Sequence, residues 1–166
     1  GKKKNPPKTK APVKGVIPKK EGLEQAEPSK EDQIKKLNEK TVFFIFSAVE
    51  RVTGLTYLRH TLNKEMTPIG KIIEDSFEFY SKRLKVPVSS LRYWSDRGNE
   101  FGYKTPKEKF VFHKHKVINR WVDKAAIIER RNRYIQKVYH RLRALGRTEP
   151  YPKMVAKTMK IVNMTV

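Results

Sequence analysis

TVFFIFSAVERVTGLTYLRHTLNKEMTPIGKIIEDSFEFYSKRLKVPVSSLRYW, running from Thr41 to Trp94, decides the fold. Between Thr41 and Phe112 apolar residues recur in lengths and periods that can build a core, and on either side the chain reads as a basic appendage. Thr41 to Val49 is dense in β-branched and aromatic residues, and Leu55 to Leu62 repeats that chemistry after a polar break. With a loop around Glu50 to Gly54, the two read as a β-hairpin. A helix is expected next: Thr67 is a good N-cap, Pro68 suits the first helical position, and Ile69, Ile72, Ile73, Ser76, Tyr80 and Leu84 follow at helical spacing. Val86-Pro87 should end it near Leu84 or Lys85, because the residue before a proline is pushed out of the helical region. Leu91 to Trp94 reads as a short strand, Asp96-Arg97-Gly98-Asn99 as a turn, and Phe101 to Tyr103 as a further strand edge. A mixed sheet with one helix packed across it buries these apolar faces economically, which places the segment in the α+β class.

Several short motifs in this segment resemble the small ubiquitin-like modifiers and their SUMO-like-domain relatives. Thr67-Pro68-Ile69 opens the helix; Ser90-Leu91-Arg92-Tyr93, Asp96 and Gly98 follow, and then Thr105-Pro106. In that family a Thr-Pro-Leu-like start leads to Ser-Leu-Arg-Phe, an Asp-Gly turn and a Thr-Pro before the last strand. The spacing from Ser90 to Thr105 fits without a gap, and the helix here is about one turn longer. The resemblance covers residues 41–122 and implies a ubiquitin-like β-grasp. The family's modifiers expose a Gly-Gly end, whereas this chain continues through a basic helix to Met164-Thr165-Val166 with no Gly-Gly, so conjugation is not expected.

At 166 residues the chain suits one small domain with extensions: an arm over 1–40, the domain over 41–122, a basic helix over 123–147 and a tail over 148–166. No run of about 18 apolar residues is present, so no membrane span is expected. The first 22 residues hold eight lysines and no apolar run, which argues against a secretory signal there. Without cysteine, disulfides and thiolate metal sites are excluded. The net charge of +21 is unevenly spread: +6 over residues 1–40, +4 over 41–112 and +11 over 113–166. Such self-repulsion in the flanks favours a polyanionic partner.

Each flank carries a different cation. Residues 1–28 interleave Lys2, Lys3, Lys4, Lys8, Lys10, Lys14, Lys19 and Lys20 with five prolines, and read as an extended arm whose lysines neutralise RNA phosphates. Ser29 caps an expected short helix over 30–39 that delivers the chain to the first strand. Val117 to Val122 can supply a last strand, with Lys114, Lys116 and Arg120 adding charge around it. Ala125 to Gly146 is expected to be a helix with the apolar stripe Ile127, Ile128, Ile135, Val138, Tyr139, Leu142 and Leu145. Around that stripe lie Arg130, Arg131, Arg133, Lys137, Arg141, Arg143 and Arg147; arginine outnumbers lysine here, and its guanidinium fork suits phosphates and bases. Glu149-Pro150-Tyr151-Pro152 should end any helix, and the apolar residues after it should pack on the domain or on a neighbour.

His113 and His115 share one side of a strand, yet no third ligand is close in sequence and lysines 114 and 116 repel a cation, so no metal is expected. The aromatics of the domain are read as core, with Phe79 and Trp94 as outer-face candidates. No nucleophile with an adjacent base and no phosphate-cradling glycine loop is present, so neither an enzyme nor a cofactor is expected. The expected function is that of a non-catalytic structural protein of a large ribonucleoprotein. A ribosome, with a slight preference for the mitochondrial one, would supply the partners: rRNA and neighbouring proteins, with no membrane and no small-molecule substrate. The alternative is a nuclear adaptor whose SUMO-like domain binds partner proteins while its tails bind DNA or chromatin.

Overall fold

Alternate residues of a strand point to opposite faces, so a strand covered on both faces reads as a nearly continuous apolar run. That is the pattern of FFIFSAV, and the computed structural model, which describes residues 27–101, 119–122, 126–145 and 149–164, accounts for it. Strands β1 (Phe44–Val49) and β2 (Thr56–Thr61) form an antiparallel hairpin in which Phe46 faces Arg59, Ser47 faces Leu58 and Ala48 faces Tyr57. Phe46, Ala48 and Tyr57 point to one side, where they pack with Ile69, Ile72, Ile73, Phe77 and Tyr80 of a helix. On the opposite side Phe43, Ile45 and Leu58 pack with Ile135, Tyr139 and Leu142 of a second helix and with Met154, Val155 and Val162 of a third. The hairpin is therefore the middle layer of three.

The layers follow from chain order. Helix α1 (Lys30–Lys40) starts at Ser29, whose hydroxyl accepts the Asp32 N–H at 3.1 Å as the sequence predicts. Helix α2 (Met66–Leu84) covers the first face. A 3-10 turn (Val88–Ser90), β3 (Tyr93–Ser95), a second 3-10 turn (Asn99–Phe101) and β4 (Asn119–Trp121) come next, and β3 pairs with β4 in parallel. Helices α3 (Ala126–Ala144) and α4 (Tyr151–Val162) cover the second face. The fold is thus mixed α+β, with four helices among the described residues.

Four expectations change at this level. The strand residues form two separate two-stranded sheets among the described residues, rather than one mixed sheet. Phe101 lies in a 3-10 turn and Tyr103 outside the described residues. Helix α2 begins at Met66 with Glu65 as N-cap, so Thr67 is not the cap; Pro68 is tolerated in the first turn because its missing N–H would have no partner there. Pro150 and Pro152 open a helix instead of ending one, for the same reason, and the expected tail becomes α4.

Helix α4 is held by side-chain amides at both ends. Pro150, its N-cap, makes no side-chain cap. Asn38 of α1 supplies one from a distance: its Oδ1 accepts the Tyr151 N–H at 2.8 Å and its Nδ2 donates to the Glu149 carbonyl at 2.7 Å. At the far end Asn163 lies against the outer edge of β2. Its Oδ1 accepts the Thr56 N–H at 2.9 Å and its Nδ2 donates to the Thr56 carbonyl at 2.8 Å, so one amide stands in for a neighbouring strand. One step along, the Leu58 N–H reaches Met159 Sδ at 3.3 Å. Outer-edge groups of β2 that would otherwise be open to another chain are thereby satisfied.

Candidate nucleic-acid interface

Helix α3 owes its position to its apolar stripe. Ile135, Tyr139 and Leu142 are buried against the hairpin and α4, while Ile127 and Leu145, at the ends of the expected stripe, are exposed. Burial raises the Tyr139 hydroxyl above its ordinary pKa, against the opposing charge of Arg143. Successive residues turn by about 100°, which sets Arg130, Arg133, Lys137 and Arg141 within roughly 80° of one another, on the side away from the buried residues. All four are exposed. At 1.5 Å of rise per residue they span about 16 Å of helix. No ion pair or hydrogen bond engages them among the described residues. Glu129 is the helix's one acid and sits in its first turn, where it complements the macrodipole.

Arg131 differs. Its Nε donates to Thr56 Oγ1 at 2.9 Å, and Nη2 donates to the carbonyls of Gly54 at 3.2 Å and Val162 at 3.0 Å. Its guanidinium also lies 5.3 Å from the centre of the Tyr134 ring. Expected to grip phosphate, it ties the hairpin turn to the C-terminal end of α4, where a cation complements the dipole. The geometry supports a structural role, because its donors are turned inward.

Arg143 is exposed but lies about 80° of helix rotation outside the four-cation stripe. Arg120, on β4, rests 5.8 Å from the Trp94 ring, and Trp94 is 47% exposed. Phe79, the other outer-face aromatic candidate, packs against Tyr57 and Tyr80 with Arg83 over its ring. Lys2, Lys3, Lys4, Lys8, Lys10, Lys14, Lys19, Lys20, Lys114, Lys116, Arg147, His113 and His115 lie outside the described residues. Among the described residues no cluster of His and carboxylates could hold a metal ion, and no helix is long and apolar enough to cross a membrane.

At its N-terminal end the stripe meets an open cavity of about 340 Å³ beside the hairpin turn. Val49, Glu50, Arg51 and Gly54 line it from the turn, and Ile127, Arg130, Arg131 and Tyr134 from α3. The turn is built tightly: Gly54 has φ +79°, open to glycine at little cost, and the Glu50 carboxylate accepts the N–H groups of Val52 and Thr53 at 2.9 and 2.8 Å and the Thr53 hydroxyl at 2.6 Å. Burial alone would raise the Glu50 pKa, but the hydrogen bonds from Thr53 and Val52 outweigh it and hold the carboxyl below its ordinary value. Sequence reading passed over Arg51 and Tyr134. The signal for Tyr134 was available, since it follows Arg130 by four residues and so borders the cationic face.

No protein-family model matches the chain, and no curated protein matches it.

Proposed function

We propose that this protein is a non-catalytic RNA-binding component of a large ribonucleoprotein, in which the three-layer fold presents α3 to folded RNA. One observation carries the reading: four exposed cations without acidic partners among the described residues line the outer face of a helix whose inner face is packed against the hairpin. A helix anchored in this way presents its charges at fixed spacing, so little ordering entropy is lost when phosphates displace counterions. The lysines of residues 1–26 add a second, chemically different set of phosphate contacts in this reading. The particle to assay first is the ribosome, the mitochondrial one before others. The order hairpin, helix, strand, with α2 across one hairpin face, supports reading the middle of the chain as a ubiquitin-like scaffold that aims these cations.

Binding to folded RNA measured across a salt series tests the proposal. Single Ala substitutions at Arg130, Arg133, Lys137 and Arg141 are each expected to weaken binding, to reduce the salt slope by about 1, and to leave the melting temperature unchanged. A slope equal to wild type in all four variants removes the proposal. Gradient fractionation tests the particle: the protein is expected to sediment with ribosomal particles, and recovery only as a free species counts against that assignment.

A further inference from the structure

The cavity at the N-terminal end of the stripe is not needed for a grip on the phosphate backbone alone. Its two ordinary reasons for being polar are already accounted for. The Glu50 carboxylate is turned into the hairpin loop by three hydrogen bonds, and Arg131 is bonded to Thr56, Gly54 and Val162. That leaves Arg51 and Arg130, both exposed and neither hydrogen-bonded nor ion-paired among the described residues. Two half-open apolar walls line the same cavity, Tyr134 and Ile127, each 40% exposed. The Tyr134 ring is steadied by the guanidinium of Arg131 on one of its faces, so its orientation is set before any ligand arrives.

We infer that this cavity takes one unpaired nucleotide of RNA, its base stacked on Tyr134 and against Ile127 and its flanking phosphates held by Arg51 and Arg130. The inference rests on the RNA-binding reading above and refines it. A phosphate-only ligand would leave the aromatic wall unused, and an apolar ligand would leave two arginines facing it, whereas a nucleotide satisfies both. Arg130 belongs to the stripe and to the cavity, so a strand tracking the stripe delivers its next nucleotide to the pocket. Aromatic stacking of this kind tolerates any base, which makes the site a reader of single-strandedness rather than of sequence.

The test uses the full chain and a short single-stranded RNA carrying a fluorescent adenine analogue, compared with the same strand annealed to its complement. Wild type is expected to quench the single strand and not the duplex. Tyr134→Leu should abolish the quench and weaken single-strand binding about 5- to 100-fold, while Tyr134→Phe retains both. Arg51→Ala, on an exposed loop, should keep the quench and lower the salt slope by about 1, which keeps the test open if Tyr134→Leu melts early. A quench retained in Tyr134→Leu with binding unchanged, an equal quench of single strand and duplex, or an Arg51→Ala slope equal to wild type overturns the pocket. If the stripe variants still reduce the salt slope in that case, the RNA-binding reading survives without it. Failure of wild type to bind either RNA removes both.

Discussion

Arg130 and Arg131 are neighbours of identical chemistry with opposite tasks, and helix geometry separates them by about 100°. Arg131 joins three pieces of backbone and side chain that come from β2, its preceding turn and the end of α4. Arg131→Ala is expected to cost about 2–3 kcal/mol, because charge-assisted bonds are lost and the Val162 carbonyl, on a fully buried residue, loses its guanidinium partner. Arg131→Lys should recover less than half, since an ammonium cannot reproduce the fork. Arg130→Ala should shift stability by no more than about 0.5 kcal/mol. Urea midpoints for the three variants check the contrast, and equal midpoints for Arg130→Ala and Arg131→Ala would sink it. Helical spacing alone sets Arg131 among Ile127, Ile128 and Ile135 of the apolar stripe and Arg130 outside it, but the partners of Arg131 lie 31 to 77 residues away and no local pattern encodes them. The two asparagines that hold α4 were equally hidden: the partners of Asn38 lie 111 and 113 residues away and those of Asn163 lie 107 away, a separation no local pattern encodes.

At the scale of elements, the hairpin and α2 were legible because period and turn chemistry act locally. The apolar run around Phe43, the break at Glu50 to Gly54 and the spacing of Ile69, Ile72, Ile73, Ser76 and Tyr80 all reappear as strand, turn and buried helix face. Boundaries moved where a proline was weighed as a marker of position, at Pro68 and again at Pro150 and Pro152. The sheets were misjoined because pairing is a long-range choice, and nothing in Leu91 to Trp94 says which strand it will meet. The turn carries a pH prediction. The folded Glu50 pKa lies below its ordinary 4.5, so the unfolded state binds the proton more readily as pH falls. Glu50 should therefore contribute its full stabilisation above pH 4.5 and lose it as pH falls through the lower folded value. Melting temperatures across that acidic window should fall more steeply for wild type than for Glu50→Gln, and parallel curves would count against the turn's dependence on the ionised carboxylate.

For the molecule as a whole, the extensions expected on either side of a central domain are in part the domain itself. Helices α3 and α4 supply the second helical layer among the described residues, and the hairpin core is shared between α2 on one face and α3 with α4 on the other. Met159 packs against both groups, so the layers are expected to unfold together. A double-mutant cycle checks this. Arg131→Ala and Asn163→Ala both act where the hairpin turn meets α4, at Thr56, and should be non-additive by at least about 0.5 kcal/mol. Arg131→Ala and Asp75→Ala, the latter removing the Arg59 ion pair on the opposite face, should add. Coupling of equal size in both cycles would show that the shared contact at Thr56 is not its source. The surplus of charge toward the end of the chain was visible in composition and the covered side of α3 in its apolar spacing, but which of the surrounding cations stay unengaged waited on the packing of the hairpin turn and α4.

The amide of Asn163 closes a strand edge that was made 107 residues earlier. At ordinary rates of translation the interval between Thr56 and Asn163 is about 5–20 s. Until Asn163 is made, a hairpin that pairs early leaves its outer N–H and carbonyl groups to water, to chaperones or to the hairpin of a neighbouring nascent chain. Crowded polysomes are therefore where mispairing of this fold is expected to be greatest, and slower synthesis of the whole stretch between Thr56 and Asn163 would lengthen the exposure in direct proportion.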